Sequence, residues 1–144
     1  MKEKLIVSAC LMGRPTRYDG RSVGHPEAKE LSKKYDVIEV CPEVLGGLET
    51  PRSPSERQGE RVVMRSGRDV TAEFLAGAMR VYQLCLEHGA KRVLLKERSP
   101  SCGSGMIYDG SFSGRLTKGD GVTAEYLRAR GIEVLGESEI HKLL

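Results

Sequence analysis

Three cysteines in this 144-residue chain stand after short apolar runs, at the start of loops. Cys10 closes the run at 5–9 (LIVSA), Cys41 closes 37–40 (VIEV), and Cys102 lies in the Ser/Pro/Gly turn after 93–95 (VLL). Short apolar runs bounded by turn residues read as buried strands. In a parallel sheet their carboxyl ends share one edge, where open α/β folds keep their ligand sites. Thiols separated by 31 and 61 residues would then meet in space. Three thiolates fit two inventories. One is a zinc ion with an open fourth position; the other is a cubane iron-sulfur cluster with one iron unligated, which the lack of a histidine partner favours. No CxxC occurs, which removes the zinc-ribbon, thioredoxin and low-potential ferredoxin patterns.

The elements that must position these thiols follow from periodicity and turn chemistry. Residues 4–9 predict a strand, and the loop 10–24 offers Arg14, Arg17 and Arg21 to anions. A helix is predicted to open at His25-Pro26-Glu27, with Pro26 at its first position and His25 as a local cap or surface residue, and to run to about Lys34. Residues 36–40 give a second strand, and 41–60 a long irregular stretch whose fixed prolines suit an ordered lid. A short strand is predicted at 61–64 and a long helix at 69–88, capped by Asp69 or Thr71 and ended by Gly89. Phe74, Ala78, Val81 and Cys85 fall on one face of that helix, which assigns Cys85 to the core as an inert thiol. His88, in its last turn, suits the helix C-terminus. Residues 91–95 and 132–135 complete the strands around a helix at about 122–130. This order predicts a single-domain, doubly wound, Rossmann-like, mostly parallel sheet flanked by helices over residues 1–144.

Composition agrees with one domain that carries its function in loops. Hydrophobic residues make up 39% of the chain, enough for one core, and 17 glycines and 6 prolines punctuate the connections. The net charge of +3 comes from 23 basic and 20 acidic residues interspersed, which is no polybasic tail. Small anionic ligands fit that balance. RNA is a weaker fit, because two Phe, five Tyr and no Trp leave few stacking platforms. No apolar run is long enough to span a bilayer and the N-terminus has no signal-peptide pattern, so the expected location is the cytoplasm, without a membrane partner. Reduced cysteines in that compartment point to metal or catalytic use rather than disulfides. Neither a GxGxxG nor a Walker A pattern is present, which argues against plain nucleotide binding.

Three longer motifs make the chain recognisable. S-x-C-L-x-G-x-x-x-R-Y-D-G from Ser8 to Gly20, C-P-E-x-x-G-G-L-x-x-P-R-x-P-x-E from Cys41 to Glu56, and S-P-S-C-G from Ser99 to Gly103 resemble the DUF523 family, whose characterised members are thiouracil desulfurases. The resemblance covers essentially the whole chain. It implies a 4Fe-4S cluster held by Cys10, Cys41 and Cys102 with one open iron, and non-redox desulfuration of a thiolated pyrimidine to the oxo base with release of sulfide. Glu43 and Ser101 resemble the family's acid/base pair. Arg17, Ser99 and Gly103 are the expected substrate contacts. Arg17, Arg52 and Glu56 divide between a buried Arg-Glu pair holding the lid and contact with substrate. Thiouracil, thiouridine, its nucleotide and thiolated tRNA all stay open as substrates, as does the oligomeric state. The rival readings are an iron-sulfur or zinc module without turnover, such as a redox sensor or an accessory to a tRNA-modifying partner, and a persulfide sulfur carrier using Cys102.

Overall fold

A computed structural model describes residues 2–20 and 24–144, so Arg21 lies outside the described residues. Strands β1 (Glu3–Ser8), β2 (Tyr35–Val40), β5 (Arg92–Leu95) and β8 (Glu133–Gly136) form one all-parallel sheet in the order β2-β1-β5-β8. The other strands make two antiparallel hairpins, β3 (Ser55–Gln58) with β4 (Arg61–Met64) and β6 (Met106–Tyr108) with β7 (Leu116–Lys118). Helices α1 (Ala28–Lys34), α2 (Pro42–Leu45), α3 (Thr71–His88) and α4 (Val122–Ala129) connect them, with 3-10 turns at Ala9–Met12 and Glu137–Lys142.

Alternation along the central strands builds the two layers. Leu5 and Val7 of β1 and Leu94 of β5 face a cluster with Leu31, Ile140 and Leu143. Ile6, Val93 and Leu95 face the opposite side, against Val81 and Cys85 of α3 and Leu127 of α4. A slip of one residue in either strand would exchange these faces, so the register of β1 is fixed from both sides. Strand order reverses at β1, because β2 lies on one side of it and β5 on the other. The crevice of a doubly wound sheet opens at such a reversal, beyond the carboxyl ends of the strands.

Helix α3 follows the predicted stripe, with Phe74, Ala78, Val81 and Cys85 all buried. Asp69 Oδ1 accepts the Thr71 N–H at 2.9 Å at its start, and Gly89, in the left-handed region at φ 68°, ends it. His25 Nδ1 accepts the Glu27 N–H at 3.1 Å as a local cap, but Pro26 lies in the turn before α1, which begins at Ala28. The stretch 41–60 is not irregular throughout, because its start forms the single turn α2 and its end forms β3. The β6–β7 hairpin occupies what reads in sequence as a glycine-punctuated loop.

Candidate functional site

Cys10 sits in the 3-10 turn after β1, Cys41 is the residue between β2 and α2, and Cys102 lies in the turn after β5. All three line one cavity of about 520 Å³, together with Ser8, Arg17, Glu43, Arg52 and Ser99. The strand-end argument therefore brings the three thiols together, and Cys85 stays in the core. Backbone geometry fixes Cys102: Ser99 Oγ accepts the N–H groups of Ser101 at 3.1 Å and Cys102 at 3.0 Å. The Ser8 hydroxyl accepts the Lys96 N–H at 2.9 Å and reaches Cys102 Sγ at 3.5 Å, which joins the end of β1 to the turn after β5.

Burial pushes the Cys10 thiol up to about 11, and the neighbouring Cys41 adds to the rise while Lys96 and Arg17 oppose it. Cys102 is pushed up more strongly by complete burial, against the hydrogen bond from Ser8, with Cys41, Cys10 and Glu43 adding to the rise. The cause is the same for both: a thiolate there loses water and faces other potential anions. A soft cationic group shared by the three sulfurs removes both penalties, so the donor set fits an iron-sulfur cluster. Among the described residues no group of three His, Cys, Asp or Glu side chains is arranged to hold a single metal ion.

Glu43, in the only turn of α2, lines the same cavity and is mostly buried. Burial raises its carboxyl above the ordinary range, and Arg52 opposes that rise through charge and a 3.0 Å hydrogen bond from Nε to Oε1. Arg52 is itself 4% exposed. It also donates to Thr16 O at 2.9 Å, Glu49 O at 2.9 Å and Thr50 Oγ1 at 2.8 Å. The buried Arg-Glu pair that holds the 41–56 segment is therefore Arg52 with Glu43. Among the described residues Glu56 pairs with no arginine; its Oε1 accepts the backbone N–H groups of Gly110 at 3.0 Å and Phe112 at 3.1 Å.

The remaining expected residues divide. Arg17 and Ser99 line the cavity, and Arg17 lies 3.9 Å from Asp19. Arg14 turns instead to Glu39 at 2.9 Å, away from the cavity wall. Ser101 is fully buried and not part of the lining; its Oγ is 2.7 Å from Thr123 Oγ1, which ties the cysteine turn to α4. Gly103 is also outside the lining, and a Cβ there would meet Ser99 O and Ile107 Cγ2 at 2.6 Å, so it lets the turn close on itself. Sequence reasoning missed Arg65, Tyr108 and Phe112, which line the cavity from the hairpins. Of the hairpin strands only β4 was expected, at 61–64; β3, β6 and β7 gave no strand signal in the sequence.

The model of the 2-thiouracil desulfurase family matches residues 5–139. A Bacillus subtilis (strain 168) protein described as uncharacterized, YbbK, is 39% identical over 150 residues, covering 97% of this chain and 99% of the relative. A solved structure described as a 4Fe-4S-dependent thiouracil desulfidase, TudS, is similar at 52% identity and a TM-score of 0.93, over 99% of this chain and 95% of that one.

Proposed function

The chain belongs to the 2-thiouracil desulfurase family, and from that premise we propose that it holds a 4Fe-4S cluster through Cys10, Cys41 and Cys102 and hydrolytically removes sulfur from a thiolated pyrimidine. The observation that carries this reading is the convergence of three thiols and the mostly buried Glu43 carboxyl on a single cavity of about 520 Å³. When bound, the cluster supplies an iron with an exchangeable position, a Lewis acid soft enough to draw sulfur out of a thiocarbonyl. The balance is that of hydrolysis: the carbon–sulfur bond breaks, a carbon–oxygen bond forms from water, and no electrons are gained or lost.

The protein's own residues handle orientation and protons. Arg17 and Ser99 hold the polar edge of the base or an attached ribose or phosphate. Glu43 takes a proton from the attacking water at its carboxylate and returns one toward the departing sulfur. Arg52 holds that carboxylate in place. Ser101, the expected partner of Glu43, has its hydroxyl committed to Thr123, so we assign it to holding the Cys102 turn in register. The whole chain acts as one desulfurase unit in a reducing compartment, consistent with four free cysteines. Among the described residues no helix is long and apolar enough to cross a membrane.

The test is anaerobic iron and sulfide reconstitution followed by addition of 2-thiouracil, 4-thiouridine and its monophosphate, with sulfide release measured. Release that depends on the cluster supports the proposal and ranks the substrates. A reconstituted cluster with no release from any of them leaves a binding module. Release from iron-free protein that only the Cys102→Ala change abolishes would instead make Cys102 a nucleophile that displaces sulfide without a cluster. Glu43→Gln is expected to keep the cluster's visible absorption and lower turnover by at least about a hundredfold, the usual scale for a lost general acid or base.

A further inference from the structure

The β6–β7 hairpin reaches the cavity through a loop tied to β3, whose buried Glu56 also lines the cavity. The Glu56 carboxylate is buried and accepts two N–H groups of that loop, from Gly110 at 3.0 Å and Phe112 at 3.1 Å. Gln58 Nε2 donates to Gly110 O at 2.9 Å. Gly110 sits so close to this strand that a Cβ would meet Gln58 Cγ at 2.7 Å and Arg57 O at 2.9 Å. Between these ties Phe112 is forced to a left-handed backbone at φ 55°, which crowds the Cβ of an aromatic residue. Its ring lines the same cavity as the three cysteines, with the Arg65 guanidinium 5.6 Å from the ring centroid. A buried carboxylate and a strained backbone thus converge on presenting one aromatic ring to the cavity, and strain of this kind persists where surrounding structure imposes it.

We propose that Phe112 is a specificity-determining contact for the planar ring of the substrate, and that Glu56 is a positioning residue acting through it. This rests on the reading of the cavity as a pyrimidine site. A flat, unsaturated base offers a π face to Phe112, whereas a saturated ring with the same hydrogen-bonding edge does not.

The experiment compares uracil with 5,6-dihydrouracil, which is puckered and has lost the ring π system, by anaerobic equilibrium dialysis against cluster-loaded protein. The variants are Phe112→Leu, Phe112→Tyr, Glu56→Gln and the Phe112→Leu/Glu56→Gln pair, each checked for cluster absorption and melting. Wild type is expected to prefer uracil. Phe112→Leu should weaken uracil by about tenfold, the scale of one base–aromatic stack, and leave dihydrouracil within about twofold. Phe112→Tyr should restore the preference, and the KM for 2-thiouracil should follow uracil binding while kcat changes little. Glu56→Gln should move uracil in the same direction and add nothing in the Phe112→Leu background, because both act through one ring. Unchanged uracil binding in Phe112→Leu, or equal weakening of both ligands, overturns the role of Phe112. Additive losses in the double variant overturn that of Glu56. Wild type that binds neither ligand overturns this inference together with the pyrimidine reading, whereas wild type that binds both equally overturns this inference alone.

Discussion

Cys85 and the three cavity cysteines share one side chain, and only their surroundings assign them different work. Cys85 is 1% exposed among Val81, Leu127 and the face of the sheet. Cys85→Ala is therefore expected to keep full cluster absorption after reconstitution and to cost about 1 kcal/mol in stability, as a small core truncation does. Alanine at Cys10, Cys41 or Cys102 should each abolish that absorption, and a complete cluster in any of the three would remove that residue from the ligand set. The same thiols make a pH prediction for cluster-free protein. Burial raises Cys85 from an ordinary 9.0 to about 11, so between those values the folded state keeps a proton that the unfolded state has lost. Unfolding free energy must then fall as pH rises through that window and be unaffected by this group below it. Melting temperature under reducing conditions is expected to drop between about pH 9 and pH 11, and to drop less in Cys85→Ala; equal slopes in both proteins would discard the assignment.

Helix α2 is one turn long and carries Glu43 next to Cys41, so its placement depends on what it leans against. That support is α3, reached by direct backbone contact: a Cβ on Gly77 would meet Pro42 O at 1.9 Å, and one on Gly46 would meet Glu73 O at 1.9 Å. Alanine in a helix interior ordinarily stabilises by roughly 0.5–1 kcal/mol relative to glycine. At Gly77 the expected sign is reversed, with a loss of at least about 2 kcal/mol, because the clash is with backbone that no rotamer change relieves. Since displacement of α2 carries Cys41 and Glu43 with it, Gly77→Ala should also lower iron occupancy after reconstitution. Thermal melting and iron content check the two halves of this prediction separately. Elements of this kind were hard to read beforehand. The α3 stripe was legible because Phe74, Ala78, Val81 and Cys85 repeat at helical spacing and are buried. Strand β3, with sequence SERQ, has no apolar alternation; its order comes from pairing with β4 and from Glu56, a charge buried by its bonds to the loop of another hairpin. Strand β7 is exposed at all three positions, so no burial pattern could mark it.

At the scale of the molecule, the parallel sheet and the edge that collects the thiols followed from apolar runs ending in cysteine. What was not legible was which side chains face the cavity once the loops close. Arg52 and Glu56 were expected either in a buried Arg-Glu pair or in contact with substrate, but pairing across the fold gave Arg52 to Glu43 and left Glu56 to the β6–β7 loop. Ser101 and Ser99, two residues apart in one turn, are separated by the wall of the cavity, a distinction set by the hydroxyl of Thr123 on α4.

The sheet order also carries a timetable. Strands β1 and β2 are neighbours, so a chain emerging from the ribosome can pair them and bring Cys10 and Cys41 together as soon as β2 is out. Cys102 follows 61 residues later, a delay of roughly 3–12 s at translation rates of about 5–20 residues per second. Until then the nascent chain offers two thiols without the third, a pair able to scavenge stray metal but not to seat a cubane. With the proposed three-cysteine seat, cluster delivery would come after β5 has slotted beside β1, as a late maturation step on an otherwise assembled sheet.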